Sequence, residues 1–238
     1  MTDGPPGAAA GRRDKLHGRR RGHKLRAGQQ ARLDNELAAK QTTPAAIAAT
    51  GPAGIFPFPP REIWLEIGFG GGEHLAWQGA HNPDIGLIGC EVFQTGIVTL
   101  LAQLEDAAQD NVRIVTDDAR LVLDVLPDAS LGRAFILFPD PWPKVRHHKR
   151  RIVSPETMDA LARVMQDGAE LRLGTDDILY LRAMLEIACS HPDFEWLARR
   201  PADWRERPAD WPQTRYEAKG IAQGRPPSFL RLKRRPRG

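Results

Sequence analysis

Cysteine is scarce in this 238-residue chain, and long hydrophobic runs are missing from it. The two cysteines, Cys90 and Cys189, lie in separate apolar segments without a CxxC spacing. The sequence therefore predicts neither a disulfide framework nor a zinc site. No apolar run reaches the roughly 18 residues that a membrane-spanning helix needs. These absences favour a globular protein of a reducing compartment over a secreted or membrane protein.

Targeting signals are also missing from the first residues. The N-terminus lacks the succession of basic, apolar and small residues that marks a signal peptide. It is rich in arginine, as transit peptides are, but no serine occurs in the first 60 residues. We therefore expect a cytoplasmic protein that does not associate with membranes.

Positive charge is unevenly distributed along the chain. The formal net charge is only +4, yet residues 11–26 contain eight Lys or Arg and one Asp, and residues 231–238 contain five and no acid. The body between these ends is acidic, except for residues 144–151, which hold five Lys or Arg. This distribution favours a polyanionic partner such as a nucleic acid. For the N-terminal run, a solvated tail that promotes solubility is the alternative.

Breakers and apolar segments divide the chain into three regions. Residues 1–30 are rich in Gly, Pro, Arg and Ala without periodicity, which predicts a basic disordered arm. Residues 31–60 are expected to hold a short helix, near Gln29–Lys40, and a linker rich in helix breakers, Thr50–Pro60. Residues 61–238 are expected to form one domain that ends in a basic C-terminal tail.

Strand and helix segments alternate from Arg61 onward. Buried strands are predicted at EIWLEIG, IGLIGCEV, VRIVTDD, RAFILFPD and ELRLGTDD, each followed by a helix. Two last strands, FEWLAR and SFLRLKR, are predicted without a helix between them. The pattern predicts an α/β fold with a mostly parallel seven-stranded sheet, helices on both faces and an antiparallel last strand. Ligands of such folds bind beyond the carboxyl ends of the strands, where we seek the site.

The first strand ends in a glycine-rich loop, Glu66-x-Gly68-x-Gly70-x-Gly72. A dinucleotide fingerprint would place a third glycine where this chain has Glu73. A carboxylate opening that helix would repel a pyrophosphate, and the acid at Glu66 also suits a cationic ligand. The loop therefore favours S-adenosylmethionine, which carries a sulfonium and an ammonium group and no phosphate.

Carboxylates follow the next two predicted strands. Glu91 comes after the second strand, where an acid can accept hydrogen bonds from both ribose hydroxyls of a nucleoside. Asp118 comes after the third, where an acid can accept from the adenine amino group. Each alone is as easily an ordinary loop carboxylate. Acids at three consecutive strand ends together favour the nucleoside site.

Asp140 follows the fourth strand, within the segment FPDPWP. Pro139, Pro141 and Pro143 stiffen this loop and remove three backbone donors, so the carboxylate is expected to be held in place. Trp142 is expected to pack beneath the loop or to stack on a base. The sequence thus predicts Asp140 as the acid of the catalytic site.

A basic edge follows this loop directly. Lys144 begins it, and two histidines lie within it without any Cys or His spaced to complete a metal site, so we predict no metal. The residues expected to contact RNA are Arg146, His147, His148, Lys149, Arg150 and Arg151.

One fixed carboxylate beside a polyanion-binding edge suits methyl transfer to a nucleobase. A ring nitrogen such as guanine N7 carries no proton and needs no strong base, and its methylated product is a cation that a carboxylate stabilises. A methyltransferase acting on an exocyclic amine is an alternative, although Trp142 stands where such enzymes carry a second proline. A non-catalytic RNA-binding protein on the same scaffold is the other alternative.

These segments resemble the bacterial tRNA (guanine-N7-)-methyltransferase family. The resemblance lies in RGHKLRAGQQ, LEIGFGGGEHL, GCEV, DDA, FPDPWPKVRHHKRRIV, LGTDD and TRYEAKG, which span Arg21 to about Leu232. It implies a Rossmann-like class I methyltransferase that uses S-adenosylmethionine to methylate N7 of the guanine at position 46, in the variable loop of tRNA. The oligomeric state stays open between monomer and homodimer.

The resemblance also implies roles for individual residues. Cofactor contacts are expected at Glu66, Gly68, Gly70, Glu91, Asp118 and Asp140. Substrate contacts are expected at Lys144, Asp176, Thr214, Arg215, Tyr216 and Glu217. Of the substrate set, Asp176 is also favoured by its place after the fifth strand. Lys219 stands where the family usually has Arg, and Lys lacks the bidentate fork of a guanidinium.

Overall fold

The structure is a computed structural model, and it describes residues 22 and 24–238. Most of the predicted basic arm, residues 1–21 and 23, lies outside the described residues. Chain order begins with two helices, α1 (Ala27–Lys40) and α2 (Pro44–Thr50). The sequence predicted only the first. In the second, Pro44 takes the first helical position and Thr43 accepts a hydrogen bond from the Ala46 amide, which are the two signals that start a helix.

Seven strands of the described residues form one sheet in the order β3-β2-β1-β4-β5-β7-β6. All five strands from β1 to β5 are parallel, and β7 is antiparallel to both β5 and β6. The predicted α/β class and antiparallel last strand are confirmed. The strands are β1 (Glu62–Ile67), β2 (Ile85–Cys90), β3 (Val112–Val115), β4 (Leu131–Leu137), β5 (Met165–Thr175), β6 (Phe194–Trp196) and β7 (Ser228–Arg234).

Helices connect the parallel strands as the alternation predicts. They are α3 (Glu73–His81), α4 (Gln94–Asp106), α5 (Ala119–Val125), α6 (Pro155–Val164) and α7 (Ile178–Ser190), with a 3-10 helix at Val145–Arg150. The core lies in two clusters, one on each face of the sheet. Leu65 belongs to one and its neighbour Trp64 to the other, because successive side chains of a strand point to opposite faces.

The last connection departs from the sequence prediction. Two helices, α8 (Ala202–Arg205) and α9 (Arg215–Ala222), lie between β6 and β7, where the sequence predicted none. Both are short, and neither has the apolar periodicity that identifies a longer helix. Thr214 starts α9 by accepting a hydrogen bond from the Glu217 amide at 3.2 Å. This correction matters because α9 carries residues of the candidate site.

The segment before β1 packs on the domain. Ile47 is fully buried and Phe56 is 8% exposed, both within one core cluster. Ion pairs Arg32–Glu105 and Lys40–Asp110 hold α1 against the body. In the part of the chain that the structure describes, no helix is both long and apolar enough to span a membrane.

Candidate active site

A cleft of about 540 Å³ opens at the carboxyl ends of β1 to β4. It brings together residues that the sequence predicted from separate strand ends, together with aromatic side chains that it did not assign. The predicted residues that line it are Gly68, Gly70, Glu91, Asp118, Asp140, Arg150 and Tyr216. Glu66, Lys144, Asp176, Thr214, Arg215 and Glu217 are not part of its lining.

The glycine loop has a backbone that other residues rarely adopt. Gly70 and Gly72 have φ of 54° and 77°, in the left-handed region where a β-carbon is strained. A β-carbon at Gly72 would also lie 2.6 Å from the Leu100 side chain. The turn therefore requires glycine, and it leaves the cleft wall free of side chains at this point.

Glu91 is fixed by backbone amides at the edge of the cleft. One carboxylate oxygen accepts from the Gly70 amide at 2.9 Å, and the other accepts from the Val92 and Phe93 amides at 2.8 and 2.9 Å. Each carboxylate oxygen can accept two hydrogen bonds, so the oxygen bonded to the Gly70 amide can still accept one from a ligand hydroxyl. The same contacts tie the glycine loop to the end of β2.

Asp118 caps α5 and faces the same cleft. Its carboxylate accepts from the Arg120 amide at 3.0 Å and from the Arg120 guanidinium at 2.7–3.1 Å. Cys90 lines the cleft beside both acids. Burial raises the pKa of its thiol well above the ordinary value, and the charges of Asp118 and Glu91 add to the effect. Cys90 is therefore a neutral wall residue.

Glu66 is placed beneath the loop and away from the cleft lining. It is 2% exposed, and its carboxylate lies 2.7 Å from Nδ1 of His74, which is equally buried. His74 packs edge-on against Phe135, with ring centroids 4.8 Å apart. The sequence predicted a direct cofactor contact for Glu66 from its place at the end of β1. The pair with His74, eight residues later in α3, instead joins the strand to the helix that follows it.

Asp140 lies exposed on a constrained loop. Two flanking aromatic residues, Phe138 and Trp142, have φ of 51° and 45°, which costs a residue with a β-carbon about 1–2 kcal/mol. The Phe138 amide donates to the Gly174 carbonyl at 2.8 Å, and Arg151 Nε donates to the Pro141 carbonyl at 2.8 Å. These bonds hold the loop on both sides of the carboxylate.

The basic segment divides into an outer and an inner part. Lys144, Arg146, His148 and Lys149 are exposed and His147 is partly exposed. Arg150 lines the cleft, with its guanidinium 5.0 Å from the centre of the Trp142 ring. Arg151, which the sequence predicted as an RNA contact, is 9% exposed and stacks on Tyr180. Its partners make it a brace of the loop.

The segment at α9 contributes one aromatic side chain directly. Tyr216 lines the cleft, and its ring lies 5.6 Å from that of Phe138. Burial raises the pKa of the Tyr216 hydroxyl, and neighbouring Asp176 acts in the same direction. The hydroxyl donates to Asp176 at 3.4 Å, and Asp176 also forms an ion pair with Arg225.

Two residues predicted as substrate contacts, Thr214 and Glu217, have partners within the fold. Thr214 caps α9. Glu217 is 1% exposed, and its carboxylate accepts from Arg207 Nε at 2.9 Å. Sequence reasoning missed Arg207 and Arg225, because nothing in the local sequence distinguishes an arginine with a distant carboxylate partner from a surface one. It also left Phe138 unassigned, although that residue belongs to the quoted FPDPW segment.

The donor set of the cleft matches the nucleoside part of S-adenosylmethionine. Carboxylates suit hydroxyl, amino and cationic groups, and the glycine wall permits close approach of a ligand to the backbone. Within residues 22 and 24–238, no group of three or more Cys, His, Asp or Glu side chains is arranged to hold a metal ion.

Comparison with known proteins agrees with this chemistry. Residues 60–230 match a family model described as "Putative methyltransferase". An rRNA methylase from Streptococcus thermophilus has a similar fold, with a TM-score of 0.52 at 14% identity over 81% of this chain and 97% of that one. Precorrin-6y C5,15-methyltransferase from Geobacter metallireducens has a TM-score of 0.50 at 15% identity, over 81% of this chain and 88% of that one. The fold and the cleft define a class I methyltransferase that uses S-adenosylmethionine.

Relatives over the whole chain narrow this class. The tRNA (guanine-N(7)-)-methyltransferase of Rhodospirillum rubrum is 50% identical over 227 residues, which cover 94% of this chain and 89% of that protein. The protein of the same name from Paramagnetospirillum magneticum is 49% identical over 234 residues, 97% of each. The chain belongs to the tRNA (guanine-N(7)-)-methyltransferase family.

Proposed function

We propose that the protein transfers a methyl group from S-adenosylmethionine to N7 of a guanine in the variable loop of tRNA. The observation that carries the proposal is the continuity of one loop. Asp140 lines the cleft together with Gly68 and Gly70, and the same chain continues at once into the exposed basic helix Val145–Arg150. A nucleoside site, an acid and a polyanion-binding edge therefore adjoin each other.

Glu91 and Asp118 are the residues proposed to hold the methyl donor. Glu91 would accept from a ribose hydroxyl, and Asp118 from the adenine amino group, while Gly68 and Gly70 let the ligand approach the backbone. We assign Glu66 a supporting role through its buried pair with His74. The bound donor supplies an electrophilic methyl group. After the transfer, the rest of the donor leaves as a neutral thioether.

Asp140 is the proposed residue of the catalytic site that acts on the base. The N7 lone pair of guanine forms the new bond without loss of a proton, so no general base is required. Methylation leaves the purine with a positive charge, and a carboxylate already fixed nearby stabilises that charge without reorganising. A fixed carboxylate can also accept from the N1 and N2 groups of guanine and so select this base.

The basic helix is the proposed contact with the RNA backbone. Its exposed side chains suit phosphate oxygens, and Arg150 reaches from the helix to the cleft. Asp176 and Tyr216, joined by a hydrogen bond, are proposed to border the base, with Thr214 and Glu217 supporting α9 from within. A cytoplasmic location follows from this substrate, and both cysteines are free thiols.

Labelled S-adenosylmethionine and unmodified tRNA test the reaction directly. After nuclease digestion, we expect the label in 7-methylguanosine, and we expect its loss when the variable-loop guanine is replaced. Asp140→Asn should lower the rate by about 100-fold or more, the size expected for removal of one preorganised electrostatic contact, with tRNA binding retained. Asp106→Asn, at an exposed acid on α4, is the matched control. Label in another nucleoside, or equal rates for Asp140→Asn and wild type, would contradict the proposal.

A further inference from the structure

Glu73 and Arg215 join two parts of the molecule that are 142 residues apart in sequence. Glu73 is the first residue of α3, directly after the glycine loop, and Arg215 is the first residue of α9. The Arg215 amide donates to one oxygen of the Glu73 carboxylate at 3.2 Å, and the Arg215 guanidinium pairs with the other oxygen. We call this two-point contact the Glu73–Arg215 clasp.

The Glu73 carboxylate lies where two helices begin. An acid in the first turn of a helix is stabilised by the unpaired amides and the helix dipole. Glu73 belongs to the first turn of α3, and its carboxylate also accepts a hydrogen bond from the first amide of α9. It also turns back over its own loop, since a β-carbon at Gly71 would lie 3.7 Å from it. The carboxylate is mostly covered, with a side-chain exposure of 23%.

Each of the two helices leads to a different part of the cleft. The loop before α3 supplies Gly68 and Gly70, and α9 supplies Tyr216 in its first turn, beside Phe138. The clasp therefore fixes the distance between the wall proposed for the methyl donor and the wall proposed for the base. Such spacing decides the rate of a reaction between two bound partners, because a misplacement of about 1 Å can cost 100-fold.

We propose that the Glu73–Arg215 clasp is a positioning device that couples occupation of the donor site to the order of α9. A donor that orders the glycine loop would also order α9 through Glu73, and α9 would then present Tyr216 to the target base. The base half of this statement rests on the proposed function. The proposal also explains the acid at the position where a dinucleotide-binding loop carries its third glycine.

The clasp gives Arg215 a different task from the substrate contact that the sequence predicted. If Arg215 acts through Glu73, then Glu73→Gln and Arg215→Gln should have the same effect, and the double variant should be no worse than either. If Arg215 instead binds RNA phosphate, only Arg215→Gln should weaken tRNA binding, and it should also reduce the salt dependence of that binding. A double-mutant cycle separates the two roles.

Steady-state kinetics supply the first readout. Each single variant is expected to lower kcat about two- to five-fold, the size of a partly exposed ion pair, with the KM for tRNA changed less than about two-fold. Glu186→Gln and Arg182→Gln, two exposed residues of α7, are the matched controls. Additive effects of the two Gln variants would overturn the proposal.

Hydrogen exchange supplies a second readout that needs no tRNA. Saturating S-adenosylhomocysteine should slow amide exchange in residues 215–222 of the wild type and of both controls. In Glu73→Gln the ligand should still bind, but the slowing in α9 should be lost. If the wild type binds no S-adenosylhomocysteine, the proposed function fails. If binding occurs and α9 is slowed equally in all variants, the clasp proposal alone is wrong.

Discussion

At the scale of single residues, the loop around Asp140 holds its conformation against a local cost. Phe138 and Trp142 both have a left-handed backbone, and such residues persist only where their surroundings fix them. For Phe138 those surroundings are the bond to the Gly174 carbonyl and the contact with the Tyr216 ring. The expected benefit is a carboxylate that needs no rearrangement before it meets the substrate.

This cost can be measured by comparing two truncations at one position. At Phe138, Gly should give a free energy of unfolding about 0.5–1 kcal/mol higher than Ala, because glycine has no β-carbon to strain at a φ of 51°. At Val145, which is 81% exposed in the 3-10 helix, the order should be the usual one, with Ala more stable than Gly. Urea unfolding of the four variants gives the comparison. A more stable Ala variant at both positions would mean that Phe138 is unstrained in solution.

At the scale of elements, a charged group inside β5 secures the connection that carries α9. Arg172 is 1% exposed and binds Glu170 and Asp210, with Asp210 lying just before the buried Trp211. Burial alone would raise the pKa of Glu170, but the guanidiniums of Arg172 and Arg231 outweigh burial and hold it below the ordinary value of 4.5. Burial alone would also raise the pKa of Asp210, but Arg172 outweighs it, so the pKa of Asp210 is lowered as well.

A lowered pKa in the folded state predicts a defined loss of stability in acid. The contribution of Glu170 is complete above its ordinary pKa of 4.5 and disappears as the pH falls through the lowered folded value. Glu170→Gln should therefore reduce the free energy of unfolding by about 1.5–3 kcal/mol at neutral pH, and this difference from wild type should shrink below about pH 4.5. Urea titrations between pH 7 and 3 provide the test, with exposed Glu195→Gln as control. A difference that does not depend on pH would assign the loss to packing.

The same element scale explains how far the sequence could predict this protein. The strands from β1 to β5 are short apolar runs with a polar end, so both their existence and the polar edge of the sheet were predictable. Whether a polar side chain turns into the cleft or beneath it was not predictable. Glu66, Arg151 and Glu217 look like surface charges in sequence, and each is buried against a partner that the fold supplies. The short helix α9 was missed because its position depends on such partners.

At the scale of the whole molecule, the two basic regions that the structure describes in full have different surroundings. The C-terminal one belongs largely to the fold, since Arg231 pairs with Glu170, Arg234 is 5% exposed and Arg237 pairs with Asp167. The segment Lys144–Lys149 is mostly exposed beside the cleft. Positive charge directed at RNA is therefore expected mainly from this segment and from the N-terminal run.

Removal of residues 1–21 tests this division of charge and leaves α1 in place. The deleted stretch holds six Lys or Arg and two Asp, and each phosphate contact that it makes adds about 0.7–0.9 to the slope of log affinity against log salt. We expect weaker tRNA binding and a shallower slope, measured from 50 to 300 mM salt, over which the Debye length falls about 2.4-fold. Arg237→Gln should leave the slope unchanged, because Asp167 already engages that guanidinium. An unchanged slope in the deletion variant would identify the N-terminal run as a solvated tail, and would leave the segment beside Asp140 to carry the RNA alone.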